Sequence, residues 1–234
     1  MPEFYVVGVM SLAADIRLYA GGQATNVDLV ECEHCGRNNW HVPDTVEVQL
    51  DHLGKRGFVE SLWNSGLLRI FREDLLELWE RRGLSGLERK PVKIASWSRK
   101  PNKPLPPSIP KYYVLTPHNR VRLNRPILTG PICPVCGIGD YDFPRLGAHL
   151  ASGIQIDGTS WDGSDFFGLP GYAHVYCSRR AAEITLAGGF NRHIVFTKQG
   201  DFHRWEDFDI RKGWTAKAYE QHVESFLIRD AGNL

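Results

Sequence analysis

Cys32-Glu33-His34-Cys35-Gly36 and Cys133-Pro134-Val135-Cys136-Gly137, 101 residues apart, are the two stretches whose reading decides how this chain is put together. In each, two residues separate the cysteines and a glycine follows, so both sulfurs can lie inside one tight turn. The glycine admits a positive φ, which lets backbone N–H groups point at the sulfurs. Each turn is half a metal site. Together they offer Cys32, Cys35, Cys133 and Cys136, the four thiolates of a closed tetrahedral zinc centre, or of an iron in the same cage.

Compact zinc ribbons join their halves through roughly 15–20 residues, so the longer gap here implies a whole layer of structure inserted between the knuckles. A thioredoxin-like redox pair would open a helix after a strand. Gly36-Arg37-Asn38-Asn39-Trp40 and Gly137-Ile138-Gly139-Asp140-Tyr141 carry no helical repeat, which argues against it. Four free core cysteines is the plainer alternative.

The motif, written the same way twice, resembles the double-CXXCG family that is expanded in myxobacteria. The resemblance rests on Cys32, Cys35, Gly36, Cys133, Cys136 and Gly137. Some members of that family are assigned as Sit-type immunity proteins, which protect a cell against lipoprotein toxins passed between kin. The resemblance implies a cytoplasmic, non-catalytic antitoxin for a cognate protein toxin. It carries no motif for toxin-facing residues, and many members have no assigned role.

Composition fits a globular protein that needs no disulfide staples: 234 residues, 42% hydrophobic and 24% charged. No apolar run approaches 18 residues, and the opening Met1-Pro2-Glu3-Phe4 has an acid where a signal peptide has bases. The expectation is a cytoplasmic protein with no membrane partner. Five cysteines, four in metal spacing, also favour a reducing compartment. The fifth, Cys177, reads as a small buried hydrophobe, with a reactive thiol at a helix start as the alternative.

The formal net charge of +1 conceals segregation. Residues 89–139 hold ten Lys/Arg and no Asp or Glu, so the remainder of the chain is acidic by nine. Such a belt can meet phosphate, an acidic partner, or the acidic half of its own fold.

Hydrophobic periodicity predicts an α+β protein: mainly antiparallel sheets, a few flanking helices and a zinc-ribbon-like four-cysteine centre. Strands are expected over 4–10, 27–31, 45–50, 92–97, 112–115, 121–128, 173–176 and 193–197. Residues 21–26 read as a turn and 57–63 as a loop or helical turn. Helices are expected over 72–82, after Ser178 as cap, and over 215–229. The proline-rich stretch 99–111 is either a polyproline linker or an ordered strap. A knuckle-containing α+β region at 1–140 and a second region at 141–234, or one continuous domain, describe the organisation.

No catalytic signature is present: no GxGxxG, P-loop, HExxH or GxSxG, and the nine histidines show no i, i+4 pair. Four thiolates leave no open position for water, so the metal is expected to be structural and the protein not an enzyme. His34 and His41 can replace a cysteine only if one of the four is missing. Two acidic aromatic segments are candidate partner surfaces, Trp205, Asp207 and Phe208 in one, Asp162 and Asp165 in the other. The plainer reading of 161–167 is an Asx-turn pinned to the core by its aromatics. The alternative function is a zinc-ribbon nucleic-acid binder using the belt, with Trp97, Tyr112 and Tyr113 as stacking platforms.

Overall fold

A computed structural model describes residues 4–9, 20–54, 57–62, 68–122, 131, 133–136, 156–168, 175–190 and 194–198. The expected C-terminal helix, Trp205, Asp207, Phe208 and Gly137 lie outside them, as does most of the strand expected at 121–128.

The strands are β1 (Phe4–Val9), β2 (Gly21–Ala24), β3 (Asp28–Glu31), β4 (Asn38–His41), β5 (Val46–His52), β6 (Ser61–Leu62), β7 (Ile70–Arg72), β8 (Leu87–Trp97), β9 (Tyr112–Pro117), β10 (Phe166–Gly168), β11 (Val175–Ser178) and β12 (Ile194–Lys198). Two helices, α1 (Glu73–Arg81) and α2 (Arg179–Ala187), complete the described elements. The α+β reading and the predominance of antiparallel pairing hold. One sheet runs β2-β5-β8-β9-β7-β6, a second β10-β11-β1-β12, and β3-β4 form a separate hairpin. Among the described strands only β5 and β8 pair in parallel, with one isolated parallel bridge between Arg120 and Gly168.

Alternation in β5 turns Val46, Val48 and Leu50 inward, onto a cluster with Leu62, Ile70, Tyr112 and Val114. The opposite face of β7 and β9 offers Phe71 and Leu115 to a second cluster. There they meet Leu75, Leu76 and Trp79 of α1, Ala181 and Ala182 of α2, and Tyr5, Val7, Phe166 and Cys177 of the four-stranded sheet. Trp79 joins the helices: its Nε1 donates to Thr185 Oγ1 at 2.7 Å, and that hydroxyl donates to the Ala181 carbonyl. The first and last described strands meet in this arrangement, since β1 lies between β11 and β12.

Three local readings are corrected. Gly21–Ala24, expected as a turn, is a strand paired with β5; a Cβ at Gly22 would meet the Gln49 carbonyl oxygen at 2.6 Å, so the glycine permits close pairing. Ser61–Leu62, expected in a loop or helical turn, is a short strand on β7. The strand expected from Val92 begins at Leu87, and Pro91 is tolerated because β5 joins only from Val92.

The proline-rich stretch is a strap. Trp97 Nε1 donates to the Pro104 carbonyl at 3.1 Å, Lys103 lies over the Trp97 ring, and Leu105 rests on the apolar cluster beneath.

Candidate metal centre

The first knuckle is the turn of the β3–β4 hairpin. Cys32 N–H donates to Arg37 O at 2.8 Å, and Gly36 N–H folds back to Cys32 O at 2.7 Å. Gly36 holds φ at 69°, the left-handed conformation that its position predicts. In the second knuckle the Cys136 N–H points at Cys133 Sγ, 3.5 Å away. That donor holds the Cys133 thiol down to about 6, so at neutral pH the sulfur is a thiolate suited to a cation.

The two knuckles meet. Cys32 Sγ lies 3.9 Å from Cys133 Sγ, Cys35 Sγ lies 3.6 Å from Cys136 Sγ, and all four ligand atoms fall within 4.8 Å of one another. Tetrahedral coordination with metal–sulfur bonds of about 2.3 Å demands sulfur–sulfur separations of about 3.8 Å. The four cysteines therefore lie within ligand distance of one another, a grouping compatible with a metal site, with none joined in a disulfide. Cys32 and Cys133 are buried, and Cys35 and Cys136 are half-buried. Among the described residues, no histidine or carboxylate joins the cluster, and His34 and His41 are exposed.

Cys177 stands elsewhere, fully buried in β11, where loss of solvation pushes its thiol well above the ordinary value. The buried-hydrophobe reading fits it.

Asp162 and Asp165 separate into two roles. Asp162 accepts from Ser164 N–H at 3.0 Å in an Asx-turn and also takes a hydrogen bond from Asn119. Trp161 and Phe167 pack edge-on against Phe4, which fixes the segment to the core. Asp165 is 5% exposed and ties three segments, accepting from Ser178 Oγ at 2.9 Å, Arg180 at 2.7 Å and Ser85 N–H at 3.2 Å. Burial withdraws Asp165 from any partner surface. Its role depends on groups 80 and 13 residues away, which local sequence does not reveal.

Part of the basic belt pairs with acids of its own fold at the surface. Arg89 pairs with Glu80 at 2.9 Å, Lys93 with Glu47 at 2.7 Å, Lys111 with Glu73 at 3.2 Å and Arg122 with Asp157 at 3.4 Å. Tyr112 is buried, with its hydroxyl on Val59 O, and Arg89 lies over the Tyr113 ring.

Sequence reasoning did not single out β3. All four of its residues are exposed, including Leu29 at 53% and Val30 at 49%. The available signal was two adjacent apolar residues flanked by acids, Asp28-Leu29-Val30-Glu31, beside a knuckle. No model of a known protein family matches the chain, and no curated protein matches it.

Proposed function

We propose that this chain is a non-catalytic immunity protein whose four-cysteine centre holds one structural zinc ion. The observation that carries the metal half is the convergence of four sulfurs within 4.8 Å from turns 101 residues apart. Thiolates select soft or borderline ions, and zinc in a four-sulfur cage is tetrahedral, closed and without redox chemistry of its own. An ion there would clamp the β3–β4 hairpin to residues 133–136. The antitoxin half rests on the repeated CXXCG motif and its family resemblance, with a cognate protein toxin as partner and the cytoplasm as the compartment. Among the described residues, no helix is long and apolar enough to cross a membrane.

The rival nucleic-acid reading loses support from the structure. Several of its bases, Arg89, Lys93 and Lys111 among them, pair with carboxylates at the surface, and Tyr112, one of its stacking platforms, is buried. The test is co-expression with the toxin encoded beside its gene, alongside elemental analysis of the purified chain. Growth rescue and one zinc per chain are expected. Absence of rescue refutes the immunity role, and absence of metal refutes the zinc.

A further inference from the structure

The β3–β4 hairpin is a two-stranded sheet of its own, and neither apolar cluster includes a residue of β3. Among the described residues β3 pairs only with β4, so no described strand occupies its outer edge. Proteins usually blunt such an edge with lysine, proline or a bulge. β3 has no lysine, proline or bulge; its register with β4 is unbroken, and its only such devices are its four-residue length and the flanking acids of Asp-Leu-Val-Glu. Leu29 and Val30 are consecutive, so one apolar side chain stands on each face. The neighbouring knuckle adds Val135, 72% exposed.

Charge selects the occupant. Across residues 28–41, Asp28, Glu31 and Glu33 stand against the single base Arg37, and all three carboxylates are exposed. A divalent ion among four thiolates would leave an excess of about two negative charges on the same side. This potential repels phosphate backbones and attracts a basic surface.

We infer that the open edge of β3 is a docking site for an extended, basic segment of a partner protein, added as a third strand to the hairpin. The backbone ladder supplies adhesion, Leu29 and Val30 supply apolar contact on the two faces, and the acidic flanks select lysine- or arginine-rich strands. A metal clamp at the hairpin's turn would hold the edge in shape before the partner arrives, which lowers the ordering cost of binding. The inference rests on the proposed function for the kind of partner, a protein, and adds where it binds and what charge it carries.

The test uses the full chain, with zinc content and melting temperature recorded, and a short synthetic peptide alternating lysine with valine. A glutamate–valine peptide and a single-stranded oligonucleotide serve as the other probes. The lysine peptide should bind saturably and slow amide exchange within residues 28–31. The combined Leu29→Ser and Val30→Ser substitutions should weaken it roughly tenfold without changing zinc content or melting. Equal binding of the glutamate peptide or the oligonucleotide, protection confined to other strands, or unchanged affinity in the double variant would each overturn the inference. So would a dimer that the double variant dissolves, since the edge would then belong to a second copy. A zinc-loaded chain that ignores the lysine peptide refutes this inference alone. A metal-free chain that still binds it at β3 supports the inference while counting against the proposed zinc.

Discussion

Replacing Cys32 or Cys136 with serine removes one of four thiolates from a centre whose remaining sulfurs cannot close a tetrahedron. Metal content should fall from one ion per chain to nearly none. Neither apolar cluster contains a knuckle cysteine, so the stability loss should be local in origin, with melting lowered by roughly 4–8 °C, or ~2 kcal/mol for a chain of this size. Scanning calorimetry with elemental analysis checks both. Asp165 is a different kind of residue. Asp165→Ala strands the buried Ser178 hydroxyl and frees the part-buried Ser85 N–H, and should cost about 1–3 kcal/mol by denaturant titration while leaving the content of the proposed zinc unchanged. At this scale the ligands were legible because a CXXCG turn declares its geometry locally. Asp165 was not, because Asp162 and Asp165 look alike in sequence and only the distant Ser85 and Arg180 distinguish them.

Among the elements, β2 and α1 give contrasting tests. Gly22→Ala should destabilise by about 1–3 kcal/mol, since the added methyl meets the Gln49 carbonyl and the Val48 side chain of the paired strand. A shift in the denaturation midpoint with unchanged slope would record it. At the start of α1, hydrogen bonds from Lys111 and Tyr113 hold Glu73 below its usual value, and Arg72 does the same for Asp74. A depressed folded-state pKa means the contribution is present above the ordinary carboxylate value and is lost as pH falls through the lower, folded one. Stability should therefore fall on acidification below about pH 4, and Glu73→Gln with Asp74→Asn should flatten that limb in melting measured against pH. Helix α1 was readable because Leu75, Leu76 and Trp79 recur at helical spacing between opening acids and a closing arginine. Strand β2 was not, because Gly-Gly signals a turn unless a close-approaching neighbour is known. The first half of β8 was hidden for a related reason: Glu88-Arg89-Lys90-Pro91 resembles a loop until β9 is seen beside it.

For the whole molecule, the proposed metal clamp predicts that chelation frees the hairpin from the body. Amide exchange across residues 28–41 should rise on metal removal while Val48, Ile70 and Tyr176, deep in the two sheets, remain protected. Uniform loss of protection would show that the metal supports the entire fold. The charge segregation seen along the sequence is partly offset in space, as Arg89, Lys93, Lys111 and Arg122 each find a carboxylate. That outcome was foreseeable as one option, but choosing it required knowing which acidic segments fold back on the belt.

The position of β1 bears on how the chain is made. Its two neighbours come from residues 175–178 and 194–198, so this early strand waits for the last described one before both its edges are covered. Most strands of the six-stranded sheet have their partners within residues 21–117 and can assemble while the ribosome is still working. During that interval an apolar amino-terminal ribbon is exposed to other nascent chains, and the delay before its burial favours rapid completion or chaperone shelter.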